Sequence, residues 1–169
     1  EKESQLLKEW ELESKNLPVR VFIPFGKMEE YKEKLIPFDY TFALKASELE
    51  AEDWITLFNL SMTSLEGVLV TRIISDLKEE GSFTIKSIKD KIGKDSQSNK
   101  DTKEIVSALF SAADNWGIFS KTEEGTEISD LVSLGTTTVL DISVYSSISA
   151  FNVRALVISL ISRKLFETR

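Results

Sequence analysis

The sequence predicts an α/β fold, a parallel sheet whose strands are separated by a long helical insertion. Three observations carry this. Val19-Arg20-Val21-Phe22-Ile23 and residues 136–142 are β-branched runs near opposite ends of the chain. The stretch between them carries apolar residues at helical spacing, punctuated by glycines, and the chain closes on a long aliphatic helix. Strands joined through a long crossover belong to a parallel sheet. The expected divisions are 1–44 for a helix and the first strands, 45–130 for a mainly helical insertion, and 131–169 for a central strand and the last helix.

Residues 3–16 read as a helix with Leu6, Leu7, Trp10 and Leu12 at helical spacing, stopped by Asn16 and Pro18. The strand at 19–23 closes at Pro24-Phe25-Gly26. Residues 29–34 form a short charged helix or turn, Ile36 is held extended by Pro37, and residues 40–44 alternate as a second strand. Ser47 and Glu50 have the spacing of a capping box for a helix ending near Asn59. Thr63 or Ser64 caps a longer helix with Leu65, Val68, Leu69, Ile73 and Leu77 on one stripe, ended by Gly81. Thr84 caps a third over 85–92, stopped by Gly93. The polar run 94–100 reads as a mobile loop, and residues 103–116 as a fourth helix with Ile105, Leu109, Ala112 and Trp116 in line. Residues 118–135 read as an acidic loop. The run 136–142 has the continuous apolar character of a strand buried on both faces, and 147–167 reads as a long helix. Trp10, Trp54 and Trp116 are expected as buried or half-buried anchors.

Composition removes whole classes of chemistry. The 169 residues include 28 acidic and 21 basic side chains, a net charge of −7, and neither His nor Cys. Thiolate and imidazole nucleophiles, disulfides and zinc sites are therefore excluded, and a metal would need oxygen ligands. The chain opens Glu1-Lys2-Glu3 with no initiator Met, which leads to the expectation of a piece of a longer polypeptide. No apolar run reaches the roughly 20 residues of a membrane span, so no membrane partner and a cytoplasmic location are expected.

Thr138-Val139-Leu140-Asp141 admits two readings. It has the form of a Walker B strand ending in a magnesium-holding acid, but Ile142-Ser143 follows where a catalytic Glu belongs. The other reading is a buried strand whose Asp caps a turn. Asp141 and Ser143 are the candidate cofactor contacts because ligands gather at the carboxyl ends of strands in open α/β sheets. No phosphate-binding loop is present, since Gly26-Lys27 and Gly93-Lys94 both lack the preceding Gly and the following Ser or Thr. The chain has no catalytic residue to assign, and no cofactor of its own is expected. Lys86, Lys89 and Lys91 form a candidate phosphate-backbone patch, although alternating charge of this kind is more often the solvated face of a helix. The order helix, Gly81-Ser82-Phe83, helix, loop, helix, Gly117-Ile118-Phe119 resembles a winged-helix arrangement. Its recognition helix, however, would carry Lys103, Glu104, Asp114 and Asn115 and no Arg. Helix-end cations such as Arg163 and Lys164 are accounted for by the helix dipole.

Residues 134–143, an apolar strand running into Asp141-Ile142-Ser143, are followed by the long helix closing Leu165-Phe166-Glu167-Thr168-Arg169. Together they resemble HerA-type ATPases of the HerA/FtsK superfamily, hexameric DNA-translocating motors. Residues 19–26 and Pro37-Phe38 resemble the family's stretch after its phosphate-loop helix. The resemblance covers 17–44 and 131–169, with the insertion matching in position alone. It implies a RecA-like P-loop ATPase sheet with a helical insertion. The parent would use ATP and Mg²⁺, assemble into a ring, translocate DNA as a helicase or translocase, and often work with a nuclease partner. It places the Walker A loop before Glu1 and the Walker B strand after Arg169, so this segment would be scaffold, with Arg169 as its subunit-interface candidate. The alternative is a winged-helix or helical adaptor that binds nucleic acid or protein.

Overall fold

A computed structural model describes residues 16–146 and 151–167, together with Leu7, Trp10 and Glu11. The helix expected over 3–16 otherwise lies outside the described residues. Trp10 is 76% exposed and is no anchor. The fold is mixed α/β, with a three-stranded parallel sheet and seven α-helices among the described residues.

The strands β1 (Val19–Pro24), β2 (Tyr40–Phe42) and β3 (Thr137–Leu140) stand in the order β2-β1-β3. Both pairs are parallel, with Phe22 opposite Tyr40 and Val19 opposite Thr137. Helix α1 (Met28–Glu33) makes the short crossover between β1 and β2. Asp39 pins that crossover by exchanging two bonds with Val21. Its carboxylate accepts the Val21 N–H (2.8 Å) and its own N–H donates to the Val21 carbonyl (2.9 Å).

β3 corrects an expectation. It is an edge strand with β1 as its one sheet neighbour among the described residues, and it is buried on neither face throughout. Val139 is 41% exposed and Val19, on the neighbouring strand, 44%. Its β-branched composition reports strand propensity correctly; burial depends on what stacks on a strand and does not follow from composition.

Helices α2 (Ala51–Leu57), α3 (Leu65–Glu80), α4 (Ile85–Lys94) and α5 (Lys100–Asn115) form the insertion. The capping box falls on Glu50 and Asp53 instead of Ser47 and Glu50, because residues 46–48 form a separate 3₁₀ turn. Ser64, Thr84 and Asn99 each accept an N–H in the first turn of their helices. Gly81 ends α3 with φ +116°, a conformation that suits glycine. Gly93 lies inside α4 and does not end it.

Two stripes are displaced from the expected ones. α3 buries Leu69, Val70, Ile73, Ile74 and Leu77 and leaves Leu65 and Val68 exposed. α5 buries Thr102, Val106, Phe110 and Ala113; of the expected line, Ile105 and Ala112 face outward, while Leu109 is half-buried and Trp116 is a half-buried anchor against the core. Loop 95–99 is anchored: the Asp95 carboxylate accepts from Arg72 (2.9 Å) and from the Ser98 N–H (2.8 Å). Trp54, fully buried, stacks among Phe58, Phe110 and Phe119. Each large apolar side chain buried this way contributes about 1.5–3 kcal/mol.

The two ends of the insertion are fastened together. On the way in, the Leu44 N–H donates to the Ile118 carbonyl (2.8 Å) and the Leu44 carbonyl accepts from Ser120 (2.8 Å). Ala43 exchanges bonds with Thr126, N–H to Oγ1 and carbonyl to N–H, both 2.9 Å. Neighbouring residues of an extended strand turn their backbone groups to opposite edges, so the exit segment flanks the entry segment on both sides. The expected loop over 118–135 therefore contains a parallel bridge, and also the short helix α6 (Ile128–Leu131).

Helix α7 (Phe151–Glu167) buries Val153, Val157, Leu160 and Ile161 in the same core as the insertion. Ile158, on the opposite face of the helix, is exposed. Arg163 does more than complement a helix dipole: it donates to the Glu48 carbonyl and to the Asp53 carboxylate, both 3.0 Å. Lys164 donates to Glu48 (2.6 Å) and to the Thr126 carbonyl (3.2 Å). No helix among the described residues is long and apolar enough to cross a membrane.

Candidate functional site

The carboxyl ends of β1 and β3 lie side by side, where a parallel sheet places its ligands. β1 leaves through a 3₁₀ turn at Phe25–Lys27, and β3 runs into Asp141 and a second 3₁₀ turn at Ser143–Tyr145. The Asp141 N–H donates to the Phe22 carbonyl (2.8 Å), extending the ladder by one bond. Its carboxylate accepts the Ser143 N–H (2.9 Å), so Asp141 caps the turn that follows the strand. Asp141 and Ser143 are thus brought together by a local turn.

Two buried tyrosines complete this edge. The Tyr31 hydroxyl, from α1, donates to the Asp141 carbonyl (3.2 Å). Burial pushes that hydroxyl above its usual value of 10.0; Ser143 opposes the rise by hydrogen bonding, and the Asp141 charge adds to it. The Tyr145 hydroxyl donates to the Trp116 carbonyl at the end of α5 (2.7 Å), and burial raises its pKa strongly. Between Tyr31 and Ser143 the surface dips into a recess of about 90 Å³, with the Glu30–Lys34 ion pair on its rim.

One residue beyond Trp116, the chain crosses the β1 turn at van der Waals limits. The Gly26 N–H donates to the Gly117 carbonyl (2.9 Å). A Cβ on Gly26 would stand 2.5 Å from the Gly117 Cα, and Gly117 itself has φ +72°. Both positions require glycine, the first for lack of space and the second also for its backbone conformation.

The basic stretch is divided among different surroundings. Lys86 is exposed on α4 and Lys89 is half-buried. Lys91 faces α3, where it pairs with Glu80 and lies 3.9 Å from Asp76. Beside it, a groove of about 520 Å³ between α3 and α4 is lined by Asp76, Glu80, Asp90 and Lys91. Lys103 is turned to the Asp95 carbonyl (2.9 Å). Arg169 lies outside the described residues. Among the described residues, no group of three or more acidic side chains converges to hold a metal ion.

Compared with known proteins, the chain matches no family model, no curated protein and no solved structure. The edge itself is therefore the guide. The structure places Asp141 and Ser143 at the end of the strand, where the residues put them; Tyr31, Tyr145 and the Gly26–Gly117 crossing carry no local signal. Tyr31 sits in a charged hexapeptide, and Tyr145 follows an apolar strand with no periodic pattern around it. The glycines read as stops, and that they face each other is information no local window contains.

Proposed function

We propose that this chain is an internal segment of a HerA-like ATPase of the HerA/FtsK superfamily, serving as scaffold and as a surface for subunit or partner contact. One observation carries the reading. The two stretches that resemble the family, 19–26 and 134–143, contain adjacent parallel strands, with Arg20 opposite Thr138 and Phe22 opposite Leu140. Adjacent parallel strands from these two stretches support a common sheet in the parent, and the insertion leaves and rejoins beside it. ATP, Mg²⁺, ring assembly, DNA translocation and a nuclease partner belong to the parent in this proposal, with the cytoplasm as its location.

Catalysis is assigned elsewhere in the parent. The Asp141 carboxylate is engaged with the Ser143 N–H, and the recess beside it is about 90 Å³, against the 300 Å³ or more of a typical ligand site. These residues do not fit a nucleotide or its metal. Isothermal calorimetry of the chain with ATP and Mg²⁺ tests the assignment. No heat of binding is expected up to millimolar nucleotide; micromolar binding would place part of the catalytic site here and overturn it. The reading frame on either side supplies the second test, with a phosphate loop expected before this segment and an apolar strand ending in acids after it.

The mutual packing of α3, α4 and α5 favours a second reading, the winged-helix adaptor. The outward face of α5 argues against nucleic acid as its ligand, since it presents Asp101, Glu104, Ile105, Ala108 and Ala112 beside Lys100. Salt-dependent DNA binding that is lost in a Lys86→Gln, Lys89→Gln, Lys91→Gln variant would establish the adaptor instead.

A further inference from the structure

Contacts at the carboxyl edge of the sheet join three segments distant in sequence into a closed circuit. From Asp141 the chain passes through the turn to Tyr145, whose hydroxyl holds the Trp116 carbonyl (2.7 Å). The adjacent carbonyl, of Gly117, accepts from the Gly26 N–H (2.9 Å). From Gly26 the chain enters α1, and Tyr31 returns its hydroxyl to the Asp141 carbonyl (3.2 Å). Tyr31 and Tyr145 are buried, so water does not readily replace either bond.

We propose that this circuit is a conformational coupling device, through which opening of the Tyr31–Asp141 contact and displacement of the Trp116–Gly117 end of α5 occur as one event. The circuit has no slack at its narrowest point. Gly26 and Gly117 touch backbone to backbone, and no flexible side chain lies between them to absorb a shift. α5 is a continuous 16-residue helix packed against α3 and α4, so a movement of its end is a movement of the helical unit. A group that enters the recess at Ser143 has about 90 Å³ available and must displace Tyr31 to go deeper. The helical unit would thereby sense the state of the sheet's ligand edge. The coupling stands on the geometry of this chain and is independent of the ATPase reading.

Hydrogen exchange of the full chain, read by mass spectrometry, tests it with conservative variants. Tyr31→Phe removes a bond that touches neither α5 nor the exit segment. It is expected to accelerate exchange at residues 116–120 about fivefold, the effect of one lost buried hydrogen bond. Tyr145→Phe is expected to do the same to residues 28–33. In the double variant the two effects should combine to less than their product, because the circuit is already open after the first loss. Ile88→Val, deep in the helical unit and of similar global cost, separates coupling from general loosening. It should not single out 116–120. The proposal fails if Tyr31→Phe acts only within 28–36 and 141–145, if the two effects multiply, or if Ile88→Val gives the same pattern.

Discussion

Gly26 and Gly117 cross so closely that a methyl group on Gly26 would lie 2.5 Å from the Gly117 Cα, while their backbones share a 2.9 Å hydrogen bond. This contact joins the end of the first strand to the end of the last helix of the insertion. Gly117→Ala is therefore expected to cost about 3 kcal/mol, from its positive φ together with the overlap. Gly93→Ala should instead stabilise by about 0.5–1 kcal/mol, because Gly93 is helical and a Cβ there meets nothing within 4 Å. Urea unfolding midpoints of the two variants should move in opposite directions.

The anchored loop before α5 makes the chain acid-sensitive at a defined point. Burial alone would raise the Asp95 pKa, but donors from Ser98 and the Arg72 guanidinium outweigh it and hold the carboxyl below its ordinary 3.8. A lowered native pKa contributes stability above the unfolded value, and this is lost as pH falls through the native one. Asp95→Asn is expected to cost about 1–2 kcal/mol near neutrality. Denaturant titrations from about pH 7 to about pH 2 should show that difference shrinking below about pH 4.

At the alkaline end the two edge tyrosines have the opposite sign. Their hydroxyls are harder to ionise in the folded chain, chiefly through burial. Their contribution is complete below the unfolded value near 10 and declines as pH climbs beyond it. Unfolding measured between about pH 8 and about pH 11 should show a steeper loss for the parent chain than for Tyr31→Phe or Tyr145→Phe.

Asp53 serves two elements at once, and its removal should reflect both. Its Oδ2 accepts the Glu50 N–H that starts α2 (2.9 Å) and the Arg163 guanidinium from α7 (3.0 Å). Arg163→Ala keeps the cap but loses the second link and the Arg163 bond to the Glu48 carbonyl (3.0 Å), together about 1–2 kcal/mol. Asp53→Ala loses the same ion pair together with the cap and should cost about 2 kcal/mol. A thermal-melt comparison of the two single variants and the double measures the shared part.

Much of the fold was legible because its signals are local. Ser64 and Thr84 cap where a hydroxyl precedes an apolar run, and the strands lie where β-branched residues cluster. What failed was the facing of elements. Ile105 and Phe110 both sit on helical stripes of α5, and only the presence of Trp54 and Phe58 beside Phe110 decides which stripe is inward. β3 looked doubly buried because composition records strand propensity and carries no information on neighbours. At the site, Asp141 and Ser143 were found through their place after a strand. Tyr31 and Tyr145 were not, since their partners are main-chain carbonyls far away in sequence, which leave no residue-type signature.

The fastening of residues 43–44 to 118–126 has a consequence for how this protein can vary. Entry and exit stand a few ångströms apart, so the register of the sheet does not depend on the length of what is carried between them. The segment behaves topologically as a pendant loop on a closed stem. Entry and exit run parallel at Leu44 and Phe119, so whatever replaces the insertion must itself be a crossover of roughly a dozen residues or more, and a different helical cassette could be spliced there in one step. Gly117 and Trp116 are positions such an exchange would have to preserve, together with Glu48 and Asp53, which hold Lys164 and Arg163 of the last helix.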